Sequence, residues 1–134
     1  MANVIFLHKR FGKFRKNIDG SWNSSVYGRG GETIAMDTIP VWFSRDLKEG
    51  DFFEKRVGKS RCSMDDIFCK KTGRQFAESR MKLKKLTVTS VENSESEIKV
   101  YLTDNQKEVY LLVGYKDAKF LFLKDHWKSL NSKF

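Results

Sequence analysis

Four short segments in the second half of the chain constrain its fold more than anything else. Residues 86–91 and 98–102 alternate apolar with polar, and residues 109–115 and 119–123 follow at short intervals. A period of two sends successive side chains to opposite faces of a strand. Asn93-Ser94, Asp104-Asn105 and Lys116-Asp117 supply turns between the segments. The last third of the chain therefore reads as an antiparallel meander with one face on a core.

The rest of the chain divides around one helix. Val4-Ile5-Phe6-Leu7 reads as a short buried strand, and residues 51–57 as another. Residues 33–43 look extended, with Pro40 keeping them near a sheet edge or bulge. Residues 8–31 form a basic, loop-rich region. Within it, residues 17–31 are rich in Gly, Ser and Asn, and Asp19-Gly20 and Gly30-Gly31 could each close a hairpin.

The spacing predicts a helix over residues 63–82. Ser63 and Asp66 fit a capping box, and Asp65 adds negative charge to the first turn. At 100° per residue, Phe68, Cys69, Thr72, Gly73, Phe76, Ala77, Arg80 and Met81 share one side. Gly73 and Ala77 would let that side approach a sheet closely. A second, short helix is expected at the C-terminus, over residues 125–130. The expected fold is one α+β domain, residues 1–134: a mostly antiparallel sheet, one central helix packed on it, and the short C-terminal helix.

With 134 residues and a 40 % hydrophobic share, the chain can bury a core. Its longest clearly apolar run, residues 109–113, falls far short of the roughly 20 residues a bilayer helix needs, so no membrane partner is expected. Residues 4–7 run directly into His8-Lys9-Arg10 and do not make a secretory leader. Two cysteines without a leader point to reduced thiols in a cytosol.

Charge is distributed unevenly. The formal net charge is +9, and residues 86–134 contribute nothing to it, with seven Lys and seven acids. The excess lies before residue 86. A basic front on a neutral scaffold suggests a polyanion or an acidic protein as partner. In the first basic segment, Lys9, Arg10, Lys13, Arg15 and Lys16 interleave with Phe11 and Phe14, and Trp22 and Arg29 follow. Cations there would meet phosphates, and rings between them would stack on bases. The plainer reading makes the Phe residues core and the cations a solvated face; strand alternation would split the cations between two faces.

The second basic source is Lys55, Arg56, Lys59, Arg61, Lys70, Lys71 and Arg74, with Lys70, Lys71 and Arg74 within about one helical turn. Lys82, Lys84 and Lys85 extend it, where cations also suit the end of a helix. Arg80 falls on the apolar side, so it needs carboxylate or carbonyl partners, or else it binds an anion at a cleft. Cys62 and Cys69, with His8 and His126, lack metal-ligand spacing. On a helix the two cysteines would lie too far apart for a disulfide, and Cys69 would pack as a small apolar residue. No cofactor is expected. Carboxylates for a metal-dependent nuclease could be drawn from Asp37, Asp51, Glu54, Asp65 and Asp66, none with diagnostic spacing.

Residues 62–80 read C-x-x-x-D-x-F-x-K-K-x-G-R-x-x-A-x-x-R, carried by Cys62, Asp66, Phe68, Lys70, Lys71, Gly73, Arg74, Ala77 and Arg80. This segment resembles one found in small, largely uncharacterised bacteriophage accessory proteins. The resemblance implies a viral accessory protein acting in the cytoplasm of an infected bacterium, and implies no activity. The residues together point to a non-enzymatic protein binding nucleic acid through Lys9, Arg10, Phe11, Lys13, Phe14, Arg15, Lys16, Trp22, Arg29, Lys70, Lys71 and Arg74. One alternative is an inhibitor or modulator of an acidic host protein, with Trp22, Tyr27, Arg29 and Trp42 as interface anchors. The third is a metal-dependent nuclease.

Overall fold

The computed structural model describes residues 4–10, 12–26, 28–104 and 108–124; at residues 12–15, 22–26 and 64 the description is confined to the backbone. Its elements run in chain order β1 (Val4–Lys9), β2 (Gly12–Lys16), β3 (Trp22–Val26), β4 (Arg29–Asp37), α1 (Val41–Ser44), β5 (Phe52–Ile67), α2 (Lys70–Ser79), β6 (Lys82–Asn93), β7 (Glu97–Thr103), β8 (Val109–Tyr115) and β9 (Phe122–Lys124). Seven strands pair in the order β1-β4-β5-β6-β7-β8-β9, all antiparallel, and β2 and β3 form a separate hairpin.

The sheet curls into a nearly closed barrel. Its two edge strands, β1 and β9, come together. Below them the seam is stitched by backbone hydrogen bonds, with Leu121 N–H donating to Ile39 O (2.8 Å) and Val41 N–H to Lys119 O (3.0 Å). The interior is filled by the alternating residues of each strand: Ile34 and Met36 from β4, Leu86 and Val88 from β6, Ile98, Val100 and Leu102 from β7, and Leu112 from β8, all buried. The expected meander is present, though β9 is shorter than the segment 119–123. Among the described residues no helix is long and apolar enough to cross a membrane.

The α+β expectation is overturned. There is no central helix over 63–82; residues 63–67 belong to strand β5, and α2 has ten residues. The pair read as a capping box works differently. Ser63 Oγ accepts from the N–H of Asp65 two residues on (3.1 Å), a local turn that competes with helix formation. The segment is drawn into the ladder instead, because Cys62 pairs with Gly31 and Ile67 with Arg29. Fewer residues separate the partners on β4 than on β5, so residues 63–66 bow outward. Gly30-Gly31 does not close a hairpin: it forms the matching irregularity in β4, with Gly31 at φ 144°, a conformation open to glycine.

Other expectations change more locally. Residues 17–31 are not all loop: Asp19-Gly20 sits in the β2–β3 turn, where Gly20 N–H donates to Asn17 O (3.0 Å). The extended segment 33–43 ends at Asp37 and passes through Pro40 into the single turn of α1. The expected C-terminal helix lies outside the described residues.

α2 lies against the outer face of β4 and β5. The register pairs Thr33 with Ser60 and Ala35 with Gly58, a row of small residues. Gly73 abuts Thr33, and Ala77 abuts Gly58. A Cβ on Gly58 would land on the carbonyl oxygen of Ala77 and 2.8 Å from Met81 N. Gly58→Ala should therefore lower the unfolding free energy by about 1–3 kcal/mol, the usual cost of overpacking a tight contact. Chemical denaturation of the two proteins measures it, and an unchanged midpoint would show that α2 shifts freely.

Candidate functional site: an electropositive helix start beside a groove

The start of α2 is charged against its own dipole. Lys70, Lys71 and Arg74 are exposed, and the first turn holds no acidic residue. Partial positive charge from unsatisfied N–H groups already collects there, so cations at this end cost stability instead of adding it. None of the three makes an ion pair among the described residues. At 100° per residue, Lys70 and Arg74 occupy one flank of α2, Lys71 the outer crest, and Cys69, Thr72, Phe76 and Arg80 the other flank.

The Lys70–Arg74 flank faces β1. His8, on the same outer row as Thr33, is hydrogen-bonded through Nδ1 to Thr33 Oγ1 (2.9 Å) and meets Phe68 edge to face at 5.9 Å. Partial burial lowers the His8 pKa, and the charges of Lys70 and Arg74 lower it further. Arg10 stacks over Phe68, 4.8 Å from the ring centroid. Two elements far apart in sequence thus share one positive field.

The other flank forms a wall of a groove of about 350 Å³. The bowed segment of β5 is the opposite wall, and Thr33 and Ser60 lie at the floor. Ser60 Oγ donates to Gly73 O (3.0 Å), fixing helix to strand. Arg80 does not reach an apolar core. It is exposed, lies over the Phe76 ring at 5.4 Å, and directs Nη1 to Lys59 O at 3.4 Å. Cys62 and Cys69 both line the groove. Cys69 is exposed instead of packed, and hydrogen bonds from Thr72 hold its thiol below the usual range.

The sequence-derived binding residues do not form a single cluster. Arg10, Lys70, Lys71 and Arg74 gather around the start of α2. Arg29 is exposed and donates Nη1 to Asp65 O (2.5 Å), bracing the bowed segment. Lys9 is half-buried in β1 opposite Glu32. Lys13, Phe14, Arg15 and Trp22 have backbone positions in the β2–β3 hairpin, where Lys16 pairs with Trp22 and its own side chain is exposed. Phe11 and Tyr27 lie outside the described residues, as do the side chains of Lys13, Phe14, Arg15 and Trp22.

The second basic source is largely committed elsewhere. Arg56 pairs with Asp37 (2.8 Å), and Lys84 approaches buried Asp104 (3.6 Å). Lys59 Nζ donates to Glu108 Oε1 (2.6 Å) and lies 3.6 Å from Glu32. Lys85 sits over Phe52 at 4.1 Å. The carboxylates considered for a nuclease are dispersed: Asp37 holds Arg56, Asp51 accepts from Lys48 N–H (2.8 Å), and Asp65 and Asp66 lie on the bowed segment. Among the described residues, no group of three or more His, Cys, Asp or Glu is placed to hold a metal ion.

His8, Phe76 and the groove were missed in the sequence. The Phe76–Arg80 spacing of four was a usable signal, because residues four apart on a helix are neighbours. No protein family model, curated protein or solved structure matches this chain.

Replacing Lys70 and Arg74 by alanine should raise the His8 pKa toward its ordinary value of about 6.5. In the native protein the depressed pKa makes His8 stabilising only while neutral. That contribution is complete above about pH 6.5 and is lost as pH falls through the lower folded value. An NMR titration of the imidazole protons reads the shift. An unchanged His8 in the double variant would show that burial alone sets it.

Proposed function

We propose that this protein binds nucleic acid, with phosphates held at the start of α2 by Lys70, Lys71 and Arg74 and with Arg10 beside them. The observation that supports this reading is the placement of three exposed cations at the positive end of a helix whose first turn has no acid. Intramolecular stability does not favour that arrangement, whereas an incoming phosphate would relieve the repulsion and accept helix N–H groups. The basic β2–β3 hairpin, attached next to Arg10, would lengthen the footprint. Binding is sequence-tolerant, since phosphate contacts position a ligand without reading bases. Taken with the resemblance of residues 62–80 to bacteriophage accessory proteins, the ligand would be met in the cytoplasm of an infected bacterium.

Fluorescence anisotropy with a labelled oligonucleotide, single-stranded and duplex, tests this. Affinity should fall steeply between about 50 and about 200 mM salt. The triple variant Lys70→Ala, Lys71→Ala, Arg74→Ala should flatten the log–log salt slope by about 0.7 to 0.9 per cation removed. Salt-independent binding, or a triple variant identical to the parent, would overturn the proposal.

A separate observation supports inhibition of a host protein as a second reading. Trp42 is 68 % exposed and shares a shallow groove with Pro40, Arg45 and Phe120. Trp and Arg are the residue types that anchor protein interfaces. On this reading, a host protein captured from nuclease-treated bacterial lysate is lost with Trp42→Ala and retained by the triple variant of α2.

A further inference from the structure

We infer that the groove beside α2 is a slot for an unpaired nucleobase, so that the ligand is single-stranded. The inference rests on the phosphate-binding reading above and adds to it the part of the nucleotide that the cations do not touch. Three features of the groove carry it.

The first is its origin. Residues 63–66 leave the β4–β5 ladder and form a wall opposite α2, which opens a groove of about 350 Å³ on the same barrel face as the cations. That volume falls in the range of small-ligand clefts. The second is the exposed apolar surface it holds among polar neighbours such as Arg61, Ser63 and Asp66. Phe76 is 51 % exposed and Ile67 is 72 % exposed, both bordering the groove. Neither contributes to the barrel core, which lies on the inner face of the sheet. The third is the pairing of rings with guanidinium groups: Arg80 over Phe76 and Arg10 over Phe68. An exposed ring such as Phe76 can stack on a base, and phosphates attached to that base need cations within a nucleotide's reach.

The arrangement suits a strand crossing the start of α2. Lys71 on the crest stands between the Lys70–Arg74 flank and the groove, so consecutive phosphates follow a basic path while one base turns down toward Phe76. In a duplex, that base is paired and stacked on its neighbours, and entry would cost its unpairing. Stacking on a ring does not select among bases, so any of the four fits by its flat face.

The test compares a labelled thymidine strand of about ten nucleotides with a strand of equal length whose central residues are abasic, using the full chain. The parent protein should bind the thymidine strand about tenfold more tightly, in the range that one stacked base supplies. Phe76→Ala should erase the difference between the two strands. Phe76→Tyr, which keeps the ring, should restore it. With 2-aminopurine in place of one thymidine, the parent should alter the probe's fluorescence on binding and Phe76→Ala should not.

Equal affinity of the parent for the two strands would overturn the slot and leave the phosphate reading standing. Absence of binding to either strand would overturn both. A preference that survives Phe76→Ala would place base contact elsewhere and overturn the slot as drawn here.

Discussion

The close seating of α2 on β4 and β5 is the constraint on which the functional surface depends. A ten-residue helix is marginal alone in water, since its nucleation cost is repaid by few hydrogen bonds. It persists because Gly73 and Ala77 meet a row of small residues, Thr33, Ala35, Ser60 and Gly58, with backbone against backbone at Gly58. Only Ala77 of the helix is buried. Close fit therefore takes the place of a broad apolar face, and the outward surface of α2 is left free to be charged. The same contact fixes Lys70 and Arg74 against β1 and opens the groove on the opposite flank.

Beneath this surface, the barrel interior handles charge in a different way. Lys59, Glu108, Tyr110, Asp104 and Lys84 join in one polar network. The Tyr110 hydroxyl donates to Asp104 Oδ2 (3.0 Å), and burial with the two nearby carboxylates pushes its pKa well above the ordinary range. Burial works to lower the Lys59 pKa, but Glu108 and Glu32 outweigh it and raise it. Every buried side-chain polar atom in the described residues has a partner. Interior ions here are balanced, as low-dielectric surroundings require. The exposed cations of α2 are not balanced in this way, and solvent screening is what makes that tolerable without a ligand.

What the sequence revealed, and what it concealed, follows from how local each signal is. The meander was legible because residues 98–102 alternate cleanly, and Ile98, Val100 and Leu102 are all buried. Strand β1 was legible from its apolar run. The boundary of α2 was not. Ser63, Asp65 and Asp66 carry helix-start chemistry, yet the ladder with Arg29 and Gly31 claims residues 62 and 67, and a long-range pairing outranks a local propensity. The small residues Gly73 and Ala77 were read for close approach, and they make it, but against the outside of a barrel that no local pattern announces. Closure depends on Ile39, Val41, Lys119 and Leu121 meeting across about eighty residues of chain, and such contacts leave no periodic trace. Of the candidate site, the Lys70–Lys71–Arg74 cluster was visible in the sequence. His8 and the groove were not, because both exist only once β1 and the bowed part of β5 are brought to α2.

One set of cations lies within α2 and another follows it on β6, and their different fates separate structural charge from surplus charge. After the helix, Lys82, Lys84 and Lys85 lie on strand β6. Lys84 serves buried Asp104, and Lys85 covers the exposed ring of Phe52. Intramolecular contacts account for Lys84 and Lys85. Within the first five residues of α2, Lys70, Lys71 and Arg74 face the positive end of the helix dipole and also repel one another. A chain selected for stability alone would place an acid there, and it has acids available in Asp65 and Asp66 only a few residues away. The strand bulge carries them away from the helix instead, with Asp66 on the opposite wall of the groove. The fold thus separates its negative charge from the helix start, and the site so exposed suits an anionic ligand that brings its own counter-charge.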